Sequence, residues 1–526
     1  MTKAVRASKS KAKAPIARPA ARAPERRLVE LKQRLAEISD LGSAAAVLNW
    51  DQATYMPKGG AAARGRQCAT LARIAHEKQT DPALGHLLDQ LQPVFAARDP
   101  ADDDAALVRV ALRDYKRAVK VPSDLVGRLA VHGNAAYNAW TQARPANDFA
   151  AVAPILERGV DLSRELARAL GRSRHIMDPL IDASEPGMTV ASVRALFDEL
   201  RLPLIALVNA AKAAPAMDDS CLRLNFTEAK QLNFALKIAE HFGFDLTRGR
   251  LDLSPHPFCT TFSHGDVRIT TRVTSHDLGE ALFSTLHEAG HALYEQGGAA
   301  ALEQTPLAGG ASPGVHESQS RLWENIVGRS ETFLTHAYPL LQKQFPDQLR
   351  RIPLVTFYRA INKVAPSLIR TDADELTYNL HIMIRFDLEC ALLDGTLAVK
   401  DLPKAWAERY ARDLGVTPTG HHDGCLQDVH WFGGTIGGAF QSYTIGNILS
   451  AQFYDAAVAK HPGIPADIAY GKFATLHNWL AKNIYAHGRK FDPADLVQRA
   501  TGQSMSTAPY LAYLSTKYGA LAVGKG

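Results

Sequence analysis

Residues His287-Glu288-Ala289-Gly290-His291 set two imidazoles four positions apart, with a carboxylate next to the first. In a helix that spacing stacks both rings on one face, where they can share a metal ion. Glu288, one residue round, can then reach a water at that ion and serve as general base, the chemistry of helical H-E-x-x-H peptide hydrolases. In a chain of 526 residues with 19 His, the pattern arises by chance about 0.03 times. A catalytic zinc site needs a third protein ligand and leaves its fourth position open. Glu317 lies 26 residues after His291, and Glu324 lies seven further on, two turns along a similar face. A second helix returning over the first delivers either carboxylate. By spacing both remain candidates, and Glu324 is also suited to accept a hydrogen bond from a ligand imidazole.

The elements that must position these groups are mainly helical. Asp277 with Glu280 resembles an N-cap box, Leu282, Phe283, Leu286, Ala289 and Leu293 recur at helical spacing, and Gly297-Gly298 suits the stop. Strand-like runs at 222–226, 258–262 and 267–273, with Ser263-His264-Gly265 as a turn, predict a small antiparallel sheet leading into the metal helix. Amphipathic periodicity predicts helices at 61–78, 104–119, 123–142, 148–171, 190–213, 227–242, 317–336, 355–369, 372–393, 403–413, 440–459, 467–487 and 505–518. Residues 49–60 read as a turn-rich aromatic interruption, and 305–314 as a Gly/Pro loop.

Composition bounds the rest. With 46% hydrophobic residues the chain can bury a large core. It has no apolar run of 18 or more and no apolar leader, so neither a membrane span nor a secretory signal is expected. Cys68, Cys221, Cys259, Cys390 and Cys425 form no C-x-x-C pair, as fits reduced thiols in the cytoplasm. Residues 1–27 hold nine Lys/Arg and one acid, which predicts a basic disordered tail ahead of one helical domain over 28–526. No nucleic-acid or membrane partner is expected.

Further motifs stand in order: His256-Pro257-Phe258, Asp266-Val267-Arg268-Ile269-Thr270, His316-Glu317-Ser318-Gln319, Ile369-Arg370-Thr371-Asp372-Ala373-Asp374 and Gly424-Cys425-Leu426-Gln427-Asp428-Val429-His430-Trp431. With these and the H-E-x-x-H the chain resembles the carboxypeptidase Taq family of zinc carboxypeptidases, from about Leu28 to the C-terminus. The resemblance implies a large, mostly α metallopeptidase fold split by a deep groove, peptide substrates and a cytoplasmic homodimer. It implies Zn2+, with Co2+ or another divalent ion able to substitute, on His287, His291 and Glu317. A carboxypeptidase must also grip a free α-carboxylate, and the planar guanidinium fork suits this. The family motifs single out Arg268 and Arg370 as substrate-binding candidates, with Arg370 preferred. Asp266, Asp372 and Asp374 are available to pair with them instead.

His430, oriented by Asp428, is the first candidate donor to an oxyanion, and Tyr443 is the second, with core packing as the alternative for the phenol. His421-His422-Asp423 reads as a polar loop, and Arg385 with Glu389 as an i, i+4 ion pair. The expected reaction is hydrolysis of the last peptide bond with Glu288 as proton shuttle. The competing readings are an oligopeptidase cutting internal bonds and a catalytically silent peptide-binding protein.

Overall fold

Capping residues, prolines and glycines cut the chain into many short helices whose apolar faces close on one another. The computed structural model describes residues 23–522. It opens with α1 (Ala23–Thr54), α2 (Ala61–Gln79), α3 (Pro82–Phe95), α4 (Asp103–Ala118), α5 (Ser123–Ala143), α6 (Ala153–Leu170), α7 (Asp178–Ser184), α8 (Val190–Ala213) and α9 (Glu228–Phe242). Strands β1 (Gly249–Leu253), β2 (Cys259–Ser263) and β3 (Asp266–Thr271) lead into α10 (Leu278–Gln296) and α11 (Pro313–Arg321). Then follow α12 (Glu331–Gln344), α13 (Pro346–Leu349), α14 (Leu354–Ile361), α15 (Tyr378–Asp394), α16 (Leu402–Asp413) and α17 (His430–Gly433). Last come α18 (Gln441–Lys460), α19 (Ile464–Ala469), α20 (Ala474–Asn483), α21 (Pro493–Thr501) and α22 (Ala508–Ala522). Of the tail expected over 1–27, residues up to Arg22 lie outside the described residues, and 23–27 begin α1.

The hairpin of β2 and β3 forms as expected, with Cys259 opposite Ile269 and Thr261 opposite Val267. The sheet as a whole is mixed rather than antiparallel, because its third member is β1, parallel to β3 with Leu251 opposite Ile269. The run at 222–226 is not a strand. Leu222 ends a 3-10 turn, and buried Phe226 donates its N–H to the Ser275 carbonyl at 2.7 Å. In β1 the alternating Arg250 and Asp252 pair with each other at 2.6–2.7 Å, so its charge hides a strand from an apolar pattern.

Two apolar clusters hold the molecule together. The larger runs from Ala136 on α5 to Leu521 on α22 and includes the buried faces of α10, α15 and α18. The smaller is made by α1, α3 and α4, closed by Leu302 and Leu307 from the segment between α10 and α11. α1 continues to Thr54, well into the expected interruption, and its Trp50 lies under the Arg268 guanidinium at 4.3 Å. The helix expected over 317–336 is instead α11, a π-helical turn at Leu322–Val327 and a fresh start at α12.

Close approach at glycine fixes how three of these helices meet. A Cβ at Gly290 of α10 would lie 2.6 Å from the Gln319 carbonyl oxygen and from Ser320 Cα of α11. A Cβ at Gly446 of α18 would lie 2.5 Å from Glu317 Cγ. Since backbone cannot swing aside, Gly290→Ala should lower the stability read from a denaturant midpoint by about 3 kcal/mol. Gly42→Ala on α1, where nothing lies within 4 Å, should instead raise it by up to about 1 kcal/mol.

Candidate active site

Asp277 caps α10, accepting from the Gly279 and Glu280 N–H groups at 2.9 and 3.2 Å. Glu280 does not close the expected box. It pairs with Arg272 instead. The buried stripe Leu282, Leu286, Ala289 and Leu293 turns His287 and His291 outward together, rings 5.0 Å apart. On α11 the Ser312 hydroxyl accepts from the Val315 N–H at 3.2 Å and Pro313 occupies the first turn. One turn later Glu317 points back at α10.

Glu317 Oε2 lies 3.8 Å from His287 Nε2 and 3.5 Å from His291 Nε2. All three donor atoms fall within 4.8 Å of one another, the only such His/Cys/Asp/Glu group among the described residues. Donors bound tetrahedrally at zinc distances are roughly 3.3–3.6 Å apart, so the set fits a small divalent ion. Glu324 faces the other side of the same ring, accepting from His287 Nδ1 at 2.9 Å. The structure therefore separates the two carboxylates that spacing left open.

Partners behind the imidazoles fix their tautomers. With Nδ1–H given to Glu324, the neutral form of His287 has its Nε2 lone pair toward Glu317; burial disfavours the charged ring, but the Glu317 and Glu324 carboxylates together raise its pKa. His316 Nε2 lies 2.7 Å from Glu295 Oε1, and its Nδ1 lies 2.6 Å from His291 Nδ1. Glu295 can only accept, so a neutral His316 accepts from His291 Nδ1–H, and His291 also presents a free Nε2. Burial brings His291 down to about 4, which keeps it neutral. Burial pushes Glu317 up, but Arg321, bonded at 2.7 Å, and His287 hold it well below the usual carboxylate range. Glu288 is buried, and burial pushes its carboxyl up to about 7 against the pull of His287.

A second group centres on Asp428. Its carboxylate accepts from Arg370 Nε at 2.6 Å, from Arg385 Nε at 2.8 Å and from His430 Nδ1 at 2.6 Å. His430 Nε2 is 3.3 Å from the Tyr443 hydroxyl. Arg370 Nη1 carries only the Tyr378 hydroxyl, at 3.3 Å. Arg321, the partner of Glu317, lies 4.5 Å over the Tyr378 ring, so Tyr378 joins the two groups. α18 joins them again, with Tyr443 on His430 and Gly446 on Glu317.

Arg268 is elsewhere. Its fork is taken by Asp266 at 2.8 Å, and its flat face stacks on Trp50 and Phe262. Arg385 and Glu389 do not pair as expected: Arg385 turns to Asp428 and Gln427, while Glu389 accepts from Trp431 Nε1 at 2.9 Å. The loop at 427–431 offers both better partners than they offer each other. His421 and His422 donate backbone N–H groups to Asn147, a loop contact as read. Sequence reasoning missed Glu295, His316, Arg321, Tyr378 and His256, whose imidazole is pushed down by burial, with Arg370 and His430 among the charges adding to it. Of these, His256 and His316 stand in the motifs quoted above without a role, and Arg321, four residues after Glu317, carried a local signal.

The model of the carboxypeptidase Taq (M32) metallopeptidase family matches residues 30–518. The chain belongs to that family. It is a metallocarboxypeptidase, a peptide hydrolase, and the family implies a divalent metal. Thermostable carboxypeptidase 1 of Thermus thermophilus is 42% identical over 94% of this chain and 98% of its own length. Carboxypeptidase 1 of Bacillus subtilis is 37% identical over 92% and 96%. The crystal structure of an M32 carboxypeptidase from Deinococcus radiodurans superposes with a TM-score of 0.92 at 47% identity, covering 95% of this chain and all of that one.

Removing a group behind a ligand should weaken metal binding without abolishing it. His316→Ala and Glu324→Ala should each lower affinity for Zn2+ about 10- to 100-fold in chelator competition, and Glu317→Ala should lower it further.

Proposed function

We propose that this chain is a zinc-dependent carboxypeptidase of broad specificity that removes the C-terminal residue of peptides with a free carboxylate. Co2+ or another divalent ion can take the place of zinc. The convergence of His287, His291 and Glu317, with buried Glu288 beside them, carries the reading. A bound divalent ion supplies Lewis-acid polarisation of the scissile carbonyl and makes a water more acidic. Glu288 takes the proton of the attacking water and passes it to the departing amine, a task for which a carboxyl near pH 7 is well matched.

His430, held at Nδ1 by Asp428 at 2.6 Å, is the first candidate donor to the oxyanion through its other nitrogen. Tyr443, held at that nitrogen, is the second donor. Arg370 is the anchor for the terminal carboxylate, through Nη1 and the Tyr378 hydroxyl beside it. Arg268, in its stack on Trp50, is a clamp between α1 and the sheet. Five unpaired cysteines suit the cytoplasm. Among the described residues no helix is long and apolar enough to cross a membrane. A homodimer and a basic tail ahead of α1 complete the proposal.

Glu288→Gln should bind Zn2+ as tightly as the wild type and lose about 10^2- to 10^4-fold in kcat, because an amide cannot accept the proton. Normal turnover in that variant sinks the general-base role. The exopeptidase role rests on a double comparison. Amidating the peptide C-terminus and changing Arg370→Ala should each cost about 2 kcal/mol of transition-state binding, roughly 30-fold in kcat/KM. The two losses should not add, since both remove one contact. Equal cleavage of free and amidated peptides by the wild type would return Arg370 to a purely structural role.

A further inference from the structure

Glu185 is a fully buried carboxyl that the mechanism does not use. It follows α7 directly, capping that helix with its N–H on the Ile181 carbonyl at 2.7 Å. Its Oε1 accepts from the Gly314 N–H at 2.6 Å, in the first turn of α11. Its other polar neighbours are the hydroxyls of Ser312, which caps α11, and Ser442, in the first turn of α18. Glu317 comes one turn after Gly314, and Tyr443 comes directly after Ser442. The same corner holds the turn before α18 in place: Ser184 donates to the Gly438 carbonyl at 2.6 Å, and Gln441 donates to Ser184 at 3.1 Å. Gly438 has φ 84° and approaches the Leu180 carbonyl so closely that a Cβ would lie 2.6 Å from it.

We propose that Glu185 is a positioning residue of the active site: by bridging Gly314 and Ser442 it sets the Glu317 helix against the Tyr443 helix. The proposal rests on the roles given above to those two residues. No Lys, Arg or His bonds Glu185 among the described residues, and a buried carboxyl without a counter-ion is held in its neutral form. Burial accordingly raises it above the usual carboxylate range. A neutral acid has an O–H to give. Glu185 Oε2 and Ser442 Oγ are buried neighbours, and neither has a hydrogen-bond partner among the described residues; a proton on Oε2 gives the carboxyl an O–H to turn toward that hydroxyl. One carboxyl then accepts from α11 and presents its O–H to α18.

Glutamine has the same shape, with a carbonyl to accept from Gly314 and an N–H to donate to Ser442. Glu185→Gln should therefore keep the wild-type melting temperature, Zn2+ affinity and kcat, each within about threefold. Glu185→Ala should lower Zn2+ affinity in chelator competition about 10-fold or more, as other residues behind metal ligands do, and lower kcat per folded enzyme by at least as much. A drop in melting temperature with Zn2+ affinity and kcat unchanged would make Glu185 a helix cap only and overturn the proposal, as would a glutamine variant as impaired as the alanine one. Should Glu185→Ala not fold, Ser442→Ala tests the α18 arm alone. It should lower kcat severalfold while leaving KM and Zn2+ affinity in place; an unchanged kcat overturns the bridge. Metal affinity is read without substrate, so these results stand apart from whether C-terminal residues are the ones released.

Discussion

Two missing methyl groups set the geometry of this molecule. At Gly290 the backbone of α10 touches the backbone of α11, and at Gly446 α18 presses on the aliphatic part of Glu317. Helix axes usually stand 8–10 Å apart with side chains between them, and at these two points the spacing is as small as glycine permits. Only at that spacing does a carboxylate from α11 come within 3.5–3.8 Å of two imidazoles on α10. The H-E-x-x-H motif thus depends on the glycine inside it as much as on its two histidines. The smaller apolar cluster of α1, α3 and α4 reaches this core through Leu302 and Leu307, which belong to the segment joining α10 to α11.

Bringing so many charged groups together would be unfavourable without exact pairing, since a buried carboxylate otherwise takes up a proton. Arg321 prevents this at Glu317, and Arg321 with His287 and Arg329 prevents it at Glu324, which is held down to about 2 despite burial. Glu317 is consequently ionised before any ion arrives, and His291 is held neutral, whereas at His287 burial is outweighed by the carboxylates of Glu317 and Glu324, which favour the protonated ring. A ligand must be deprotonated to bind, so of the three proposed ligands only His287 would have a proton to release. The π-helical turn contributes here. An ordinary continuation of α11 would carry Glu324 round on a different phase, whereas the wider turn at Leu322–Val327 sets it behind His287.

What the sequence made legible follows the range of the interactions involved. α10, its Asp277 cap and the pairing of His287 with His291 are local, and they read directly. Glu317 against Glu324 was not decidable from spacing, because the answer lies in a helix contact at Gly290 that no periodicity encodes. The Asp428 group joins residues 42 to 60 positions apart, and a pattern of i, i+4 charges suggested the wrong partner for Arg385. Helix α3 escaped notice because Pro82 and Pro93 look like breaks, although Pro82 stands in the first turn where proline is welcome. Strand β1 was masked by its own ion pair. In each case the hidden feature is settled by a partner distant in sequence.

The Asp428 group carries one more consequence. Within it lie two arginines, Arg370 and Arg385, and a single carboxylate that both share. The remaining neighbours do not restore the balance. Burial pushes Glu389 up to about 7, so near neutrality it carries only about half of a compensating charge, and burial holds His381 neutral by driving its pKa well down. The cluster is left with an excess of positive charge in a place where water is scarce, an unfavourable state for a folded protein by itself. An arriving anion relieves it. The free carboxylate of a peptide is such an anion and an amidated or internal peptide bond is not, so on the role proposed for Arg370 the excess charge would favour chain ends even though Asp428 already occupies its fork. Selectivity of this kind needs no snug pocket for the terminal group. It requires only that the protein hold more guanidinium charge than its own carboxylates can neutralise.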